Sequence, residues 1–298
     1  MRMPHESGNG PGPCGRPTRH NRTWQGRGCG RQSLECRLVG DPSMHAFPTD
    51  YDQYAATYAW TRWAVPWVVA PLARVVDGLP SGAAVLDVGC GTGNYARALS
   101  EHRADIVCAG FDISKPMLRE AAARPSRARF VVGDASRAFP CRDRVVGLAF
   151  AVDVIHHIER LATFFVEAAR VLAPGGRLVL VTDSEDNLRR RSLTKFFPEI
   201  LPIELQRYPP VAALHEQAAA AGLRLLRQER AEGRIPLSHE FLSKLAAKCS
   251  SAMRLLAPRD HAAGMLRVRE AQARGERWLS CYMVLHYGRE AGVSMATP

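Results

Sequence analysis

One run of ten residues constrains the fold of this chain more than any other feature: Val85-Leu86-Asp87-Val88-Gly89-Cys90-Gly91-Thr92-Gly93-Asn94. Residues 84–88 are apolar and β-branched enough for a strand buried on both faces, whereas residues 95–99 have helical periodicity. The glycines between them can adopt positive φ and have no Cβ, so a ligand can lie directly against the backbone. The run therefore predicts a strand, a glycine turn and a helix.

A second apolar run, residues 106–111, ends in Asp112. A carboxylate at the end of a buried strand can accept two hydrogen bonds from the vicinal hydroxyls of a ribose. The glycine spacing is G-x-G-x-G rather than the dinucleotide pattern G-x-G-x-x-G, which disfavours a pyrophosphate ligand and therefore a dehydrogenase. These residues indicate an adenosine ligand, although glycines in strand–helix turns and acids at strand ends also occur in purely structural turns.

With Asp87 the run becomes D-V-G-C-G-T-G, which resembles motif I of the class I S-adenosyl-L-methionine (SAM)-dependent methyltransferases. The resemblance covers roughly residues 51–230 and continues through residues 111–114, 132–135, 153–157 and 169–178. It is greatest to the small-molecule methyltransferase group (type 11-like domain), in which His-His follows the fourth strand. It implies SAM as cofactor and a Rossmann-like, doubly wound α/β fold with a seven-stranded sheet and a helical cap inserted before the last strand.

The resemblance also implies a set of cofactor-binding residues at the strand ends. Asp112 would hold the ribose hydroxyls, Asp134 and Ala135 would meet the adenine edge, and the glycine loop would run beneath the methionine moiety. Asp87 would order the loop and reach the SAM ammonium through water. The complete set is Asp87, Gly89, Cys90, Gly91, Gly93, Asp112, Ile113, Asp134, Ala135 and Val152.

The residues after the fourth strand are the candidates for catalysis, because ligands of parallel sheets meet at the carboxyl ends of the strands. Asp153, His156 and His157 lie there, and imidazole can orient a substrate or take a proton near neutral pH. Either histidine could equally be structural. Tyr51 and Tyr58 share one helix face; they are predicted to contact the substrate or the sulfonium through a cation–π interaction, with core packing as the alternative.

The chain divides into a basic tail, one enlarged domain and a short end segment. We expect a disordered tail at 1–45, a methyltransferase domain at 46–290 and a short tail at 291–298. Within the domain we expect a lid helix (51–77), a SAM-binding core (82–182), a substrate loop (183–210) and cap helices (237–275). The loop contains Arg189, which could pair with an anionic group on the substrate or lie on a solvated face.

The net charge of +11 arises partly in the first 40 residues, which are rich in Arg, Gly and Pro. The tail could be a basic arm for nucleic acid, a transit peptide, or sequence upstream of a start at Met44. Because it has few aromatic residues to stack on bases and is Gly/Pro-rich rather than Ser-rich, we favour a dispensable tail. The alternative is an RNA or protein methyltransferase that uses this arm.

Composition excludes few other classes of function. No secretory signal or apolar run long enough for a bilayer is evident, which predicts a soluble cytoplasmic protein without a membrane partner. The eight cysteines show no zinc-ligand spacing, so we predict no metal and no structural disulfide. We favour methyl transfer from SAM to a small metabolite, with O-methylation ahead because of the histidine pair. A SAM-binding protein without catalysis is a second alternative.

Overall fold

The computed structural model describes residues 51–289, in which seven strands and twelve α-helices alternate. The strands are β1 (Ala84–Val88), β2 (Val107–Asp112), β3 (Arg129–Val132), β4 (Val146–Val152), β5 (Leu172–Thr182), β6 (Leu223–Pro236) and β7 (Arg277–Arg289). The expected tails, 1–45 and 291–298, lie outside the described residues.

The helices flank the sheet and cover one of its edges. They are α1 (Ala55–Thr61), α2 (Pro66–Asp77), α3 (Asn94–His102), α4 (Lys115–Ala123), α5 (Leu161–Val171), α6 (Glu185–Arg190), α7 (Ser192–Phe196), α8 (Ile200–Arg207), α9 (Val211–Ala220), α10 (His239–Ala246), α11 (Ser251–Arg254) and α12 (Pro258–Ala273). Short 3-10 helices occupy Tyr51–Tyr54 and Ile155–His157.

The sheet has the strand order β3-β2-β1-β4-β5-β7-β6. The first five strands in this order pair in parallel, whereas β7 is antiparallel to both β5 and β6. The chain winds outward from β1 to one side and then from β4 to the other, so β1 and β4 form the point where ligands bind in such sheets. The seven-stranded, doubly wound α/β fold is therefore confirmed.

Two apolar layers sandwich the sheet. On one face α5 and α9 bury Phe164, Phe165 and Leu214 against the strands, and on the other α2 and α3 bury Leu72 and Leu99. The central strands β1 and β4 are apolar on both faces, which is why their sequences show continuous rather than alternating hydrophobicity. The layers hold the carboxyl ends of β1 and β4 rigidly beside each other.

The segment after β5 differs from the expected loop, because α6, α7 and α8 lie within 183–210. Ser184 caps α6 by accepting a hydrogen bond from the Asn187 amide. Leu193, Phe197 and Ile200 from this segment are buried in a third apolar cluster with the cap helices. Burial against the cap stabilises helices that are too short to be stable alone.

The cap between β6 and β7, expected at 237–275, contains three helices, α10, α11 and α12. The chain leaves α10 at Ala246, and Ser250 begins α11 by accepting a hydrogen bond from the Met253 amide. The leading segment is likewise divided: α1 ends at Thr61, residues 62–65 are extended, and α2 begins at Pro66, where proline needs no amide partner. Among residues 51–289 there is no helix with both the length and the apolar character needed to span a membrane.

Candidate cofactor and acceptor site

The glycine turn after β1 packs tightly on one side and is open on the other. Gly89 and Gly91 have φ of +68° and +52°. A Cβ added at Gly89 would lie 2.4 Å from Val154 Cγ2, whereas at Gly91 the nearest atom would be Tyr58 Cε1, at 3.7 Å. The backbone at Gly91 and the ring of Tyr58 therefore border a small open space, in which a ligand can come close to the backbone because glycine has no Cβ.

Asp112, at the carboxyl end of β2, is held by two backbone amides. Gly91 N donates to its Oδ2 at 2.8 Å and Ser114 N donates to its Oδ1 at 2.9 Å. Each oxygen keeps a lone pair for a further donor, such as a ribose hydroxyl. The adjacent Ile113 is 69% exposed and offers an apolar surface to a base. These residues fit the adenosine part of SAM.

A small cavity of about 30 Å³ lies beside the glycine turn. Its walls include Asp87, Gly89, Cys90 and Val152, all four of which the sequence assigns to the cofactor. Asp87 is buried, its Oδ2 accepts a hydrogen bond from Ala96 N at 3.2 Å, and burial raises its pKa to about 8. A buried carboxyl here fits the ammonium of the SAM methionine moiety, because a nearby cation stabilises its ionised form.

A larger cavity of about 110 Å³ adjoins the first and lies between the lid segment, the end of β4 and the cap. Five residues line both cavities: Tyr58, Arg62, Trp63, Tyr95 and Asp153. The two cavities are therefore parts of one site, in which a cofactor on the glycine side meets a second molecule on the cap side.

Asp153 joins three parts of the chain at this site. It follows β4 with φ of +56°, a strained conformation for a residue other than glycine. Arg62 Nη2 donates to its Oδ2 at 2.9 Å, and the Tyr208 hydroxyl donates to its Oδ1 at 2.6 Å. Burial alone would raise the pKa of Asp153, but the charge of Arg62 and the hydrogen bond from Tyr208 hold it below its usual range.

The two histidines have different environments. His157 Nε2 lies 2.8 Å from the Tyr51 hydroxyl and 3.5 Å from Arg207 Nη2; burial and Arg207 lower its pKa to about 4. His156 lines the larger cavity and stacks on Tyr208, with ring centroids 4.2 Å apart. Burial and the neighbouring His157 place the pKa of His156 well below its usual value. Both imidazoles are therefore neutral at pH 7.

The Nδ1 atom of His156 is buried and has no hydrogen-bond partner within residues 51–289. A buried polar atom without a partner destabilises the protein, which makes such atoms candidates for contact with a ligand or water.

The arginine run after β5 is divided between the surface and the cavity. Arg189 pairs with Glu185 on α6 and its side chain is 54% exposed; it does not line the cavity. Arg191 lines the cavity and is buried, with ion pairs to Asp183 and Glu204. The pKa of Asp183 is raised to about 7 by burial, although Arg191 opposes this shift.

The structure thus brings together part of the set of residues identified from the sequence. Asp87, Gly89, Cys90, Val152, Asp153, His156, Tyr51 and Tyr58 line one or both cavities. Gly91, Gly93, Asp112, Ile113, Asp134, Ala135, His157 and Arg189 do not. Of these, Ala135 is buried in the core, and Asp134 Oδ1 accepts a hydrogen bond from Ser136 N.

Three charged residues of the cavity wall were absent from the sequence-based set: Arg62, Arg191 and Glu204. Arg62 follows Tyr58 by four residues, which in a continuous helix gives the same face, so its position could have been inferred. Arg191 and Glu204 gave no such signal, because their orientation depends on where α6 ends and where α8 packs.

Comparison with known proteins identifies the core of this site. Residues 86–180 match the model of the methyltransferase domain family. These residues form a methyltransferase domain. The recognition of a class I SAM-dependent methyltransferase domain is confirmed, and so is SAM as its cofactor.

Relatives of the domain act on different kinds of molecule. Trans-aconitate 2-methyltransferase of Pseudomonas paraeruginosa is 32% identical over 150 residues, which are 50% of this chain and 50% of that protein. A 23S rRNA (guanine(748)-N(1))-methyltransferase of Streptomyces fradiae is 29% identical over 179 residues, 60% of this chain and 59% of the relative. The chain therefore spans little more than half the length of these relatives.

The fold has close counterparts among solved structures. The crystal structure of a putative methyltransferase from an antibiotic biosynthesis pathway of Anabaena variabilis has a TM-score of 0.61 at 20% identity. That similarity covers 76% of this chain and 98% of the other. It extends well beyond the 86–180 core and shows that the two chains share a fold.

Proposed function

We propose that this chain transfers a methyl group from SAM to a hydroxyl oxygen of a small molecule. One observation carries the proposal: the cavity beside the glycine turn shares wall residues, among them Asp153 and Tyr58, with a second and larger cavity. A cofactor bound at Gly89 and Asp87 would therefore present its reactive end to whatever molecule occupies the larger cavity beside His156.

The size and walls of the larger cavity favour a small acceptor. Its volume is about 110 Å³, and the lid segment and cap contribute residues to its wall. A cavity of roughly 150 Å³ holds one benzene molecule, so this space suits a compact acceptor rather than a polymer. The trans-aconitate enzyme, whose name gives a small molecule as acceptor, supports the small size of the acceptor but not its charge.

When bound, SAM supplies a methyl group on a sulfonium sulfur that is already a good leaving group. The chain's own task is then to orient the acceptor and remove its proton. His156 is neutral and lines the larger cavity, so its imidazole can accept a hydrogen bond from an acceptor hydroxyl and take that proton as the methyl group transfers. Tyr208 positions the imidazole by stacking on it.

His157 has a positioning role in this proposal. Its Nε2 already faces the Tyr51 hydroxyl at 2.8 Å, and that hydroxyl belongs to the lid segment. The contact ties the lid to the residues that follow β4. Asp153 also has a positioning role in this proposal. Its Oδ2 accepts a hydrogen bond from Arg62 and its Oδ1 accepts one from Tyr208, so it holds both side chains in place.

A second candidate is methylation of RNA or protein. The S. fradiae rRNA enzyme and the net charge of +11 favour it, because a basic chain binds phosphates with release of counterions. In that case removal of residues 1–43 should abolish activity. Binding of SAM without methyl transfer is a third possibility, which any SAM-dependent product would exclude.

The deciding experiment uses methyl-labelled SAM and a cell extract, with products separated by size before and after ribonuclease treatment. An Asp112→Asn variant is the test of cofactor dependence, and Asp105→Asn, at an exposed ion pair with Arg103, is its matched control. Label in small products, lost only with Asp112→Asn, is expected. Label retained in large products would instead support the RNA or protein alternative. Alkaline treatment then separates base-labile methyl esters from base-stable ethers.

A further inference from the structure

The charged residues that line the larger cavity neutralise one another. Arg62 pairs with Asp153, at 2.9 Å, and Arg191 pairs with Glu204 on one side and Asp183 on the other. No lining guanidinium within residues 51–289 lacks a carboxylate partner. A carboxylate or phosphate entering the cavity would therefore meet carboxylates as well as arginines, and would lose its hydration without gaining a free cation.

The other walls of the cavity are largely aromatic. Trp63, Phe241 and Trp278 form a chain of edge-to-face contacts, with centroids 6.2 Å apart in the first pair and 5.3 Å apart in the second. Tyr95 and Tyr282 also line the space. The Lys244 ammonium lies over the Trp63 ring at 4.4 Å and Phe196 stacks on Trp278, so a further ring would use the remaining faces and edges, in offset or T-shaped contacts.

From these two features we infer that the acceptor is an uncharged aromatic alcohol or phenol, bound between the Trp63–Phe241–Trp278 wall and His156. The inference rests on the proposed function, since it assigns the acceptor of that same site. The acceptor's hydroxyl donates to the imidazole of His156, which lines the cavity, and its ring occupies the aromatic wall. The closed ion pairs exclude its carboxylated or phosphorylated counterparts.

One guanidinium close to the cavity lacks a carboxylate and could oppose this selection. Arg207 is buried, donates to Ser251 Oγ at 3.1 Å and lies 3.5 Å from His157 Nε2. It has no ion pair within the part of the chain that the structure describes, but it is not among the residues that line the cavity. Ser251 and Tyr51 form that part of the wall, so an anion in the cavity would have to displace the serine contact to reach Arg207.

The test measures binding rather than turnover. Isothermal titration with S-adenosylhomocysteine first establishes the cofactor site, and absence of that binding would refute the proposed function itself. With this site saturated, dissociation constants of 4-methylphenol, 4-methylbenzoate and 4-methylcyclohexanol are measured by ligand-observed NMR titration at pH 7. We expect 4-methylphenol to bind at least about tenfold more tightly than the other two, because the benzoate is charged and the cyclohexanol has no aromatic ring.

Two variants test which residues select an uncharged acceptor over a carboxylate. Glu204→Gln frees one side of Arg191 and should strengthen 4-methylbenzoate binding at least about fivefold without changing 4-methylphenol binding. Glu185→Gln, which breaks the exposed pair with Arg189, should change neither. Circular dichroism confirms that each variant is folded. A folded Glu204→Gln variant without this gain would overturn the excluding role of the pair.

The inference fails if 4-methylbenzoate binds the wild-type protein as tightly as 4-methylphenol, or if neither binds while S-adenosylhomocysteine does. Benzoate binding that is lost in Arg207→Met would assign the site to an anionic acceptor held by that arginine.

Discussion

Gly89 offers the sharpest test of how the cofactor loop is built. Its φ of +68° disfavours any L-residue by about 1–2 kcal/mol. The Cβ of alanine would in addition lie 2.4 Å from Val154 Cγ2, an overpacking that costs about 1–3 kcal/mol. Gly89→Ala should therefore reduce the free energy of unfolding by about 2–5 kcal/mol, the sum of the two effects.

Gly82 provides the matched control, because its φ is +75° but no atom lies within 4 Å of an added Cβ. Gly82→Ala should show the backbone effect alone, about 1–2 kcal/mol. Val154→Ala in the Gly89→Ala background should recover most of the overpacking part, because both clashing γ carbons are removed. Urea denaturation followed by circular dichroism measures these variants, the wild type and the Val154→Ala single variant, which completes the double-mutant cycle. Equal effects of the two glycine substitutions, or no coupling between positions 89 and 154, would refute the steric argument.

Three further predictions concern buried polar groups. The pKa of Asp87 is raised to about 8 from 3.8, so between these pH values the folded state binds more protons than the unfolded state and loses stability as pH rises. Asp87→Asn keeps an acceptor for Ala96 N and removes this titration, so its stability relative to wild type should increase from pH 5 to pH 8 in thermal melts. A difference in stability that does not change with pH would contradict this. Tyr208→Phe removes one of the hydrogen-bond donors to Asp153 and should lower the free energy of unfolding by about 1.5–3 kcal/mol, measured by urea titration. A decrease of less than about 0.5 kcal/mol would show that this hydrogen bond contributes little to stability. His156→Gln should reduce the methyl-transfer rate about 10²-fold or more without changing the affinity for SAM. The pH profile of the wild-type rate at saturating SAM should show no titration near pH 6.5, because the pKa of His156 lies well below that value. A titration near pH 6.5 would contradict the lowered pKa.

The cofactor half of the molecule was largely predictable from the sequence. Strand β1 has the expected bounds and β2 ends at Asp112 as expected, because buried parallel strands have continuous apolar sequences. The same pattern does not show which strands pair, and the length of β6, which continues to Pro236, could not be inferred from it. The strand extends that far because it pairs along its length with the antiparallel β7, a contact between distant parts of the chain.

The acceptor half was less predictable because it depends on where short helices end. Arg189, Arg190 and Arg191 are chemically identical in the sequence, yet α6 ends at Arg190 and Arg191 has extended backbone angles. That change directs Arg191 to Asp183 and Glu204, whereas Arg189 remains on the surface. Helical periodicity cannot locate the end of a helix to one residue. For this reason Arg189 was named as the candidate from the sequence, whereas Arg191, two residues later, lines the cavity.

The lid precedes most of its partners in the chain, which has a consequence for synthesis. Tyr51 and Arg62 bond with His157 and Asp153, which are 106 and 91 residues further along. The ring of Tyr54 contacts Arg254, which is translated later still. On the ribosome the lid segment therefore emerges long before the residues that hold it, and closing such long loops is entropically unfavourable. The glycine turn can assemble with β1 and β2 early, while the acceptor cavity acquires its walls only when the last third of the chain has been released.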